Sequence, residues 1–402
     1  MDPVTVLVVT FVVFLLIGVP VAVSIGLAAV LSMLVANFPA SYLVQTAYSA
    51  VDEFTIIAVP MFILAGVLME KGGLTERLIN FARGIVGSAP GGLATVTIVA
   101  CTFFAAISGS GPATTAAIGS IMIPAMLRDG YGRDFSAAIS SSAGGIGVVI
   151  PPSIPMIIYG ITAETSISGL FLAGVMPGLM LGIALWMVSV VISKRNGWVS
   201  HSNMSRSARG IGAAAWDAKW ALFAPVIILG GIYGGVFTVT EASVVAVLYA
   251  LLTGVMIFRK ITFNVLFDAL IYTVRITGTV LLVLVTGRIV GRLLTIYQIP
   301  QMVSDFLLTS VSSQTMLILL ILLLVFLFVI LPLIKNRRDN NNHMGGRGGG
   351  VDFWTTIMLA NMLGGGGRSS GGGSFGDFSS GGGSFGGFGG GSFGGGGAGG
   401  SW

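Results

Sequence analysis

Residues Ile107-Ser108-Gly109-Ser110-Gly111-Pro112-Ala113-Thr114-Thr115-Ala116 lie between two apolar arms. Pro112 suits the first turn of a helix, with Ser110 or Gly111 as its cap. At the tip of such a hairpin, amides, hydroxyls and carbonyls are left without helical partners. Hydrocarbon does not tolerate them unless protein or a polar cavity meets them. A helix N-terminus there attracts anions, and hydroxyls with carbonyls suit a hard cation. A tight loop at the membrane surface, with small residues for packing, fits the same residues. The segment alone leaves both readings open.

The second stretch is Ser140-Ser141-Ser142-Ala143-Gly144-Gly145-Ile146-Gly147-Val148-Val149-Ile150-Pro151-Pro152-Ser153-Ile154-Pro155. Two successive prolines remove two helix donors, and the glycines let the chain unwind. It carries no charge, which predicts a position at membrane depth. A discontinuous helix there is the expected form of a transporter's midplane site. The alternative is a kinked packing helix. A dinucleotide fingerprint fails, because no third Gly stands at the needed spacing and no alternating strand precedes it. Between these stretches, Arg128-Asp129-Gly130-Tyr131-Gly132-Arg133-Asp134 nets zero charge and reads as a short exposed loop.

A third stretch runs from Gly231 to Ser243 and includes Thr238-Val239-Thr240-Glu241. Glu241 could be an ion-coupling carboxylate inside the membrane. The preferred reading is local: Thr238 as N-cap and Glu241 three residues on form a capping box. Arg288 and Arg292 share one helical face in an apolar region. They could meet a substrate carboxylate, but snorkelling of a segment end toward head groups is preferred. Cys101 is the single cysteine, so no intrachain disulfide can form. His201 and His343 sit in polar stretches, which leaves no His/Cys metal cluster.

The elements that must hold these residues follow from composition. The 402 residues are 54% hydrophobic and 9% charged, with mean hydropathy +0.95. Soluble domains are nearer ~25% charged. So little charge cannot cover a globular surface, and the apolar residues come in many runs, which predicts a polytopic membrane protein. A secreted enzyme, a nucleic-acid binder and a disulfide scaffold are excluded. Apolar sequence from Val4 to Met33 predicts a retained span bent at Pro20. Further apolar stretches lie roughly at 54–69, 78–107, 112–127, 135–160, 166–192, 218–236, 241–258, 263–286, 288–309 and 314–334, some short enough to be half-spanning arms. The polar interruption 194–219 holds Lys194, Arg195, Arg206, Arg209 and Lys219 against Asp217, a net +4. The positive-inside bias places it in the cytoplasm. The predicted division is 1–193, a first membrane half with hairpin and unwound helix, then the basic loop, then a second half at 220–334. Residues 335–402 hold 27 of the 60 glycines. Such a tail cannot offset its backbone entropy by burial and is predicted to be disordered.

Three strings in order, Phe103 to Met126, Ser140 to Gly160 and Gly231 to Ala242, resemble the large membrane subunit of the TRAP transporters (tripartite ATP-independent periplasmic, dicarboxylate type). The resemblance covers about residues 1–330. It implies an all-α polytopic protein of the inner membrane with an inverted-repeat, elevator-type fold and re-entrant helical hairpins. It implies a sodium-coupled secondary transporter of organic acids, not an enzyme, with no cofactor beyond sodium as coupling ion. Its expected partners are a small membrane subunit, a periplasmic substrate-binding protein and a carboxylate substrate, with no nucleic acid. Carried onto this chain, the ion and substrate residues are Ser108, Gly109, Ser110, Gly111 and Thr114 at the hairpin tip. Gly144, Gly145, Gly147, Pro151, Pro152 and Ser153 join them from the unwound helix. Sodium is expected at Ser108, Ser110 and Gly145. A second hairpin falls near Thr286 to Pro300.

The family's second half normally continues into another unwound helix with a Pro-Pro-Gly-like segment, and none follows Gln314. The apolar run 315–334 passes into Lys335-Asn336-Arg337-Arg338 and a tail resembling the Gly-rich end of TPM-domain membrane proteins. The simplest account is a chimeric reading frame joined near 315–335, leaving half of the inferred site missing. Rival readings are a carboxylate transporter needing no binding protein, and a non-transporting membrane protein. The tip at 108–111 and the double proline at 151–152 are expected to face each other.

Overall fold

A computed structural model describes residues 2–87, 91–198 and 208–310, with isolated positions between 316 and 323. The expectations at His201, Arg206 and His343, at the side chain of Arg209, at the absence of a second unwound helix after Gln314 and in the tail lie outside those residues. The described residues form helices and no strand. In order they are α1 (Pro3–Leu16), α2 (Val21–Val35), α3 (Ala40–Val51), α4 (Ala58–Lys71), α5 (Leu74–Val86), α6 (Gly92–Ser108), α7 (Gly111–Arg128) and α8 (Arg133–Gly144). There follow α9 (Ile146–Val149), α10 (Ile154–Thr162), α11 (Ile167–Arg195), α12 (Ala208–Asp217), α13 (Lys219–Tyr233), α14 (Val239–Leu251), α15 (Phe263–Ile296) and α16 (Ile299–Ser310). A single-turn 3₁₀ helix precedes α4, and α14 continues as a π-helix over Leu252–Ile257. Among the described residues, five stretches are long and apolar enough to cross a membrane: Phe54–Lys71, Arg133–Thr162, Ile167–Arg195, Val239–Ile257 and Phe263–Ile296.

The chain forms two compact units, Met1–Ala50 with the region from Leu282, and Val51–Leu281. In the first unit, α1 and α2 are not one bent span but two arms of an antiparallel hairpin. The Ser32 hydroxyl, near the end of α2, donates to the carbonyl of Pro3 at the start of α1, 2.7 Å away. The reversal has a local cause. Gly18 takes φ +87°, and the amides of Gly18 and Val19 bond back to Leu15 and Phe14. That is a Schellman stop, and Pro20 follows to prevent resumption. Each arm is about 21–23 Å long at ~1.5 Å per residue, short of a ~30 Å hydrocarbon core. Leu7, Ala29, Met33, Ile289 and Leu293 form the buried core of this unit.

The α15–α16 turn lies inside the interval expected for a second hairpin, at its far end. Between Thr286 and Ile296 the helix is unbroken. The Thr286 hydroxyl bonds back to Leu282 at 2.9 Å, and Gly287 and Gly291 each cost only ~1 kcal/mol of helix propensity. The break comes at the far end of the expected interval, where Gln298 takes φ +55° before α16. Arg288 reaches the carbonyl of Ser49 (3.4 Å) and Arg292 the hydroxyl of Tyr42 (3.2 Å). The two arginines therefore tie α15 to α3, a use that neither substrate contact nor snorkelling anticipated.

In the second unit, α6 packs against α5, α7, α8 and α11, and α4 against α14. The region read as a polar loop contains α12, which lies on α5: a Cβ on Gly84 would stand 3.2 Å from that of Ala214. Arg77 approaches Asp217 at 3.5 Å and covers the Phe258 ring at 3.8 Å. Alanine-rich sequence favours this helix despite the basic residues around it.

Candidate ion and substrate site

The tip is built by two helix ends. α6 stops at Gly109, whose φ of +62° is left-handed, so glycine is favoured there. α7 starts at once, with Ser110 as N-cap accepting from the amide of Ala113 at 3.4 Å and Pro112 in its first turn. The side chains close a small network. The Ser108 and Thr114 hydroxyls are 2.9 Å apart. Thr114 also donates to the carbonyl of Ser110 at 2.7 Å. Ser108 and Thr114 are buried, while Ser110 is half-buried and Pro112 exposed.

The second stretch is broken as its prolines require. α8 runs through Gly145 into the short α9, the chain is non-helical from Ile150 to Ser153, and α10 begins at Ile154. Ser153 bridges the break. Its hydroxyl donates to the carbonyl of Val148 at 2.6 Å and accepts from the amide of Met156 at 3.4 Å, capping α10.

Tip and break touch. The amide of Ile154 donates to the carbonyl of Gly109 at 3.1 Å, and a Cβ on Gly109 would run into the carbonyl oxygen of Pro152. Gly147 lies against the tip, where a Cβ would stand 2.6 Å from the Thr114 hydroxyl and 2.8 Å from the Ser110 carbonyl. Gly144 meets Thr115. A Cβ on Gly111 would meet Val148 at 2.8 Å and the carbonyl of Gly144 at 3.4 Å. Gly145 is exposed and sits beside Gly111, apart from the Ser108–Ser110 network. Ser108, Gly109, Ser110, Gly111, Thr114, Gly144, Gly147, Pro152 and Ser153 thus come together, with Pro151 buried in the break.

The site is electrically neutral in its side chains. Among the described residues no group of three His, Cys, Asp or Glu could hold a metal. The oxygens present are hydroxyls and carbonyls, a hard donor set suited to an alkali cation. The N-termini of α7 and α10 open at the same place, so their partial positive charge favours an anion beside any such cation.

Three contributors went unread in the sequence. A Cβ on Gly66 of α4 would stand 3.2 Å from the Cα of Ser108. On α11, one on Gly174 would stand 2.6 Å from the carbonyl of Val149, and one on Gly178 would stand 3.5 Å from the amide of Ile150. Gly174, Gly178 and Gly182 recur every four residues, a stripe that signals close approach of another backbone. Glu241 makes the expected capping box: its carboxylate accepts from the amide of Thr238 at 2.8 Å, and its own amide donates to the Thr238 hydroxyl at 3.3 Å.

The family model for the tripartite ATP-independent periplasmic transporter DctM component matches residues 8–335. The isethionate TRAP transporter permease protein DctMQ of Oleidesulfovibrio alaskensis is 45% identical over 308 residues, 76% of this chain and 48% of that protein. The 2,3-diketo-L-gulonate TRAP transporter large permease YiaN of Escherichia coli is 37% identical over 309 residues, 75% and 71% of the two chains. The C4-dicarboxylate large permease DctM of Pseudomonas aeruginosa is 40% identical over 255 residues, 63% and 59%. The chain spans about half the length of the first of these relatives and 59–71% of the other two. A multi-pass, all-helical membrane protein with this match belongs to the DctM-component family of tripartite ATP-independent periplasmic transporters.

Proposed function

We propose that the chain acts as the large membrane subunit of a sodium-coupled secondary transporter that imports organic acids, fed by a periplasmic binding protein and completed by a small membrane subunit. The observation that carries this reading is the hydrogen bond from Ile154 to Gly109, which joins the capped tip to the broken helix. Sodium engages hydroxyl and carbonyl oxygens around Ser108, Ser110 and Thr114, while Gly145, expected as a third sodium contact, stands apart from them. The added charge, with the N-termini of α7 and α10, makes the neighbouring space suit an acid anion. Loading both lets one group of helices move against a fixed scaffold, giving alternating access in the elevator manner. The residues bind and orient, and no covalent step is required. The relatives' names give the substrate class: isethionate is a sulfonate, diketogulonate and the C4-dicarboxylates are carboxylates. A small hydroxylated or dicarboxylic anion fits all three.

The test is uptake of labelled succinate and isethionate by proteoliposomes holding the chain with its small subunit and binding protein. Uptake should require an inward sodium gradient, and indifference to sodium would reject the coupling. Ser108→Ala combined with Ser110→Ala should lower uptake by at least tenfold at limiting sodium. Unchanged kinetics would reduce the tip to a turn. A second reading, a chimeric frame joined near 315–335, is supported by the end of the family match at residue 335. Sequencing the source DNA across codons 315–335 decides it.

A further inference from the structure

Away from the tip, the first turn of α6 has an unusual surround. Its N-cap is Gly91 at φ +70°, and no side chain caps it. The first amides of a helix have no helical acceptor. Three hydroxyls close to this turn are also without a partner: Tyr131, Thr95 and Ser193. They are 3%, 7% and 0% exposed. Water outside the protein therefore does not satisfy them.

Elsewhere in this chain, buried helical hydroxyls turn back onto the carbonyl one turn earlier. Thr97 bonds to Leu93 at 2.8 Å and Thr102 to Ile98 at 2.8 Å. Ser193 and Thr95 do not. The Ser193 oxygen points at the helix start instead, 2.8 Å from where a Cβ on Gly91 would stand. The Tyr131 oxygen is faced by the amides of Leu93 and Ala94, which stop short of a hydrogen bond to it. Trp198 ties the two sides together: its amide donates to the carbonyl of Ser193 at 3.0 Å, and its ring lies 5.2 Å from that of Tyr131.

These groups can all donate a proton. Burial, above all, holds the Tyr131 hydroxyl protonated beyond its ordinary range, against the facing amides of Leu93 and Ala94, and Asp129 adds to the effect of burial. Asp129 is balanced on the same turn by Arg128. Donors converging on the positive end of a helix dipole call for an acceptor carrying negative charge. The three hydroxyls are buried, so an ion held by them sheds most of its hydration shell and must be small. A divalent oxyanion without a buried cation would be too costly there. We propose that the first turn of α6, with Tyr131, Thr95 and Ser193, binds a single desolvated halide ion, chloride in the cell.

The experiment uses the full chain in detergent at constant sodium, with chloride replaced stepwise by gluconate. Labelled chloride is followed by equilibrium dialysis and the thermal midpoint is read in parallel. Saturable binding of one chloride per chain, with a midpoint that rises with chloride, is expected. Tyr131→Phe keeps the aromatic stack, and Ser193→Ala removes one oxygen. Each should weaken chloride binding by about tenfold, the factor equivalent to ~1.4 kcal/mol. No retained chloride, or a chloride response equal in wild type and Ser193→Ala, would overturn the proposal and leave ordered water as the occupant.

Discussion

Gly147→Ala tests the contact between tip and broken helix most directly. The backbone at Gly147 is helical, so alanine is acceptable on conformational grounds and gains up to ~1 kcal/mol of helix propensity. The cost is steric. The new Cβ would stand 2.8 Å from the Ser110 carbonyl oxygen and 2.6 Å from the Thr114 hydroxyl. Ordinary contact begins near 3.4 Å. The backbone oxygen cannot swing aside like a side-chain end, so α9 and the tip must part by ~0.6 Å. Overpacking of this size costs ~1–3 kcal/mol. The control is Gly119→Ala, also helical, whose Cβ would meet its neighbours at 3.5 and 3.7 Å and should gain the same propensity without strain. The gap between the two variants is then the overpacking cost, ~1–3 kcal/mol, with the shared propensity gain cancelled. At ~2–4 °C per kcal/mol for a unit of this size, Gly147→Ala should melt ~2–12 °C below Gly119→Ala. The assay is thermal unfolding of both purified variants, followed by sodium-driven uptake, which should fall in Gly147→Ala alone. Equal midpoints would refute the packing of α9 on the tip.

Four further outcomes are expected. Thr238→Ala should lower stability by about 1 kcal/mol through loss of the α14 cap, while Glu241→Gln should leave the sodium dependence of uptake unchanged; a lost dependence would restore Glu241 as a coupling carboxylate. Arg77→Met removes a ring contact at 3.8 Å and a bond to the Gly73 carbonyl at 3.0 Å and should destabilise measurably. Lys260→Met removes an exposed pair with Glu76 and should cost no more than ~1 kcal/mol, read as a smaller fall in thermal midpoint.

Local signals carried well from sequence to structure. Pro151 and Pro152 lack amide hydrogens, so no packing could restore helix through them. Ser110 and Thr238 cap helices as read from the sequence, because each offers an oxygen to the amide three residues on; the cap at Ser153 went unread. The reversal at Gly18 was equally local in cause, yet Val4 to Met33 reads as continuous apolar sequence. A left-handed glycine followed by proline distinguishes a hairpin from a kink only once both arms find faces to pack.

The sequence by itself determined that the chain lies in a membrane, where it must break, and which helix ends are capped. Those properties reside in single residues and their immediate neighbours. The tertiary structure alone decided that the break at 150–153 sits on the tip at 108–111, that glycines 66, 174 and 178 admit the close approach, that α15 runs unbroken to Ile296 and that Arg288 and Arg292 serve α3. Each of these depends on which surfaces meet across tens to hundreds of residues. In an apolar chain nearly every helical face is equally greasy, so periodicity names no partner. Only the fit of backbone against backbone selects one.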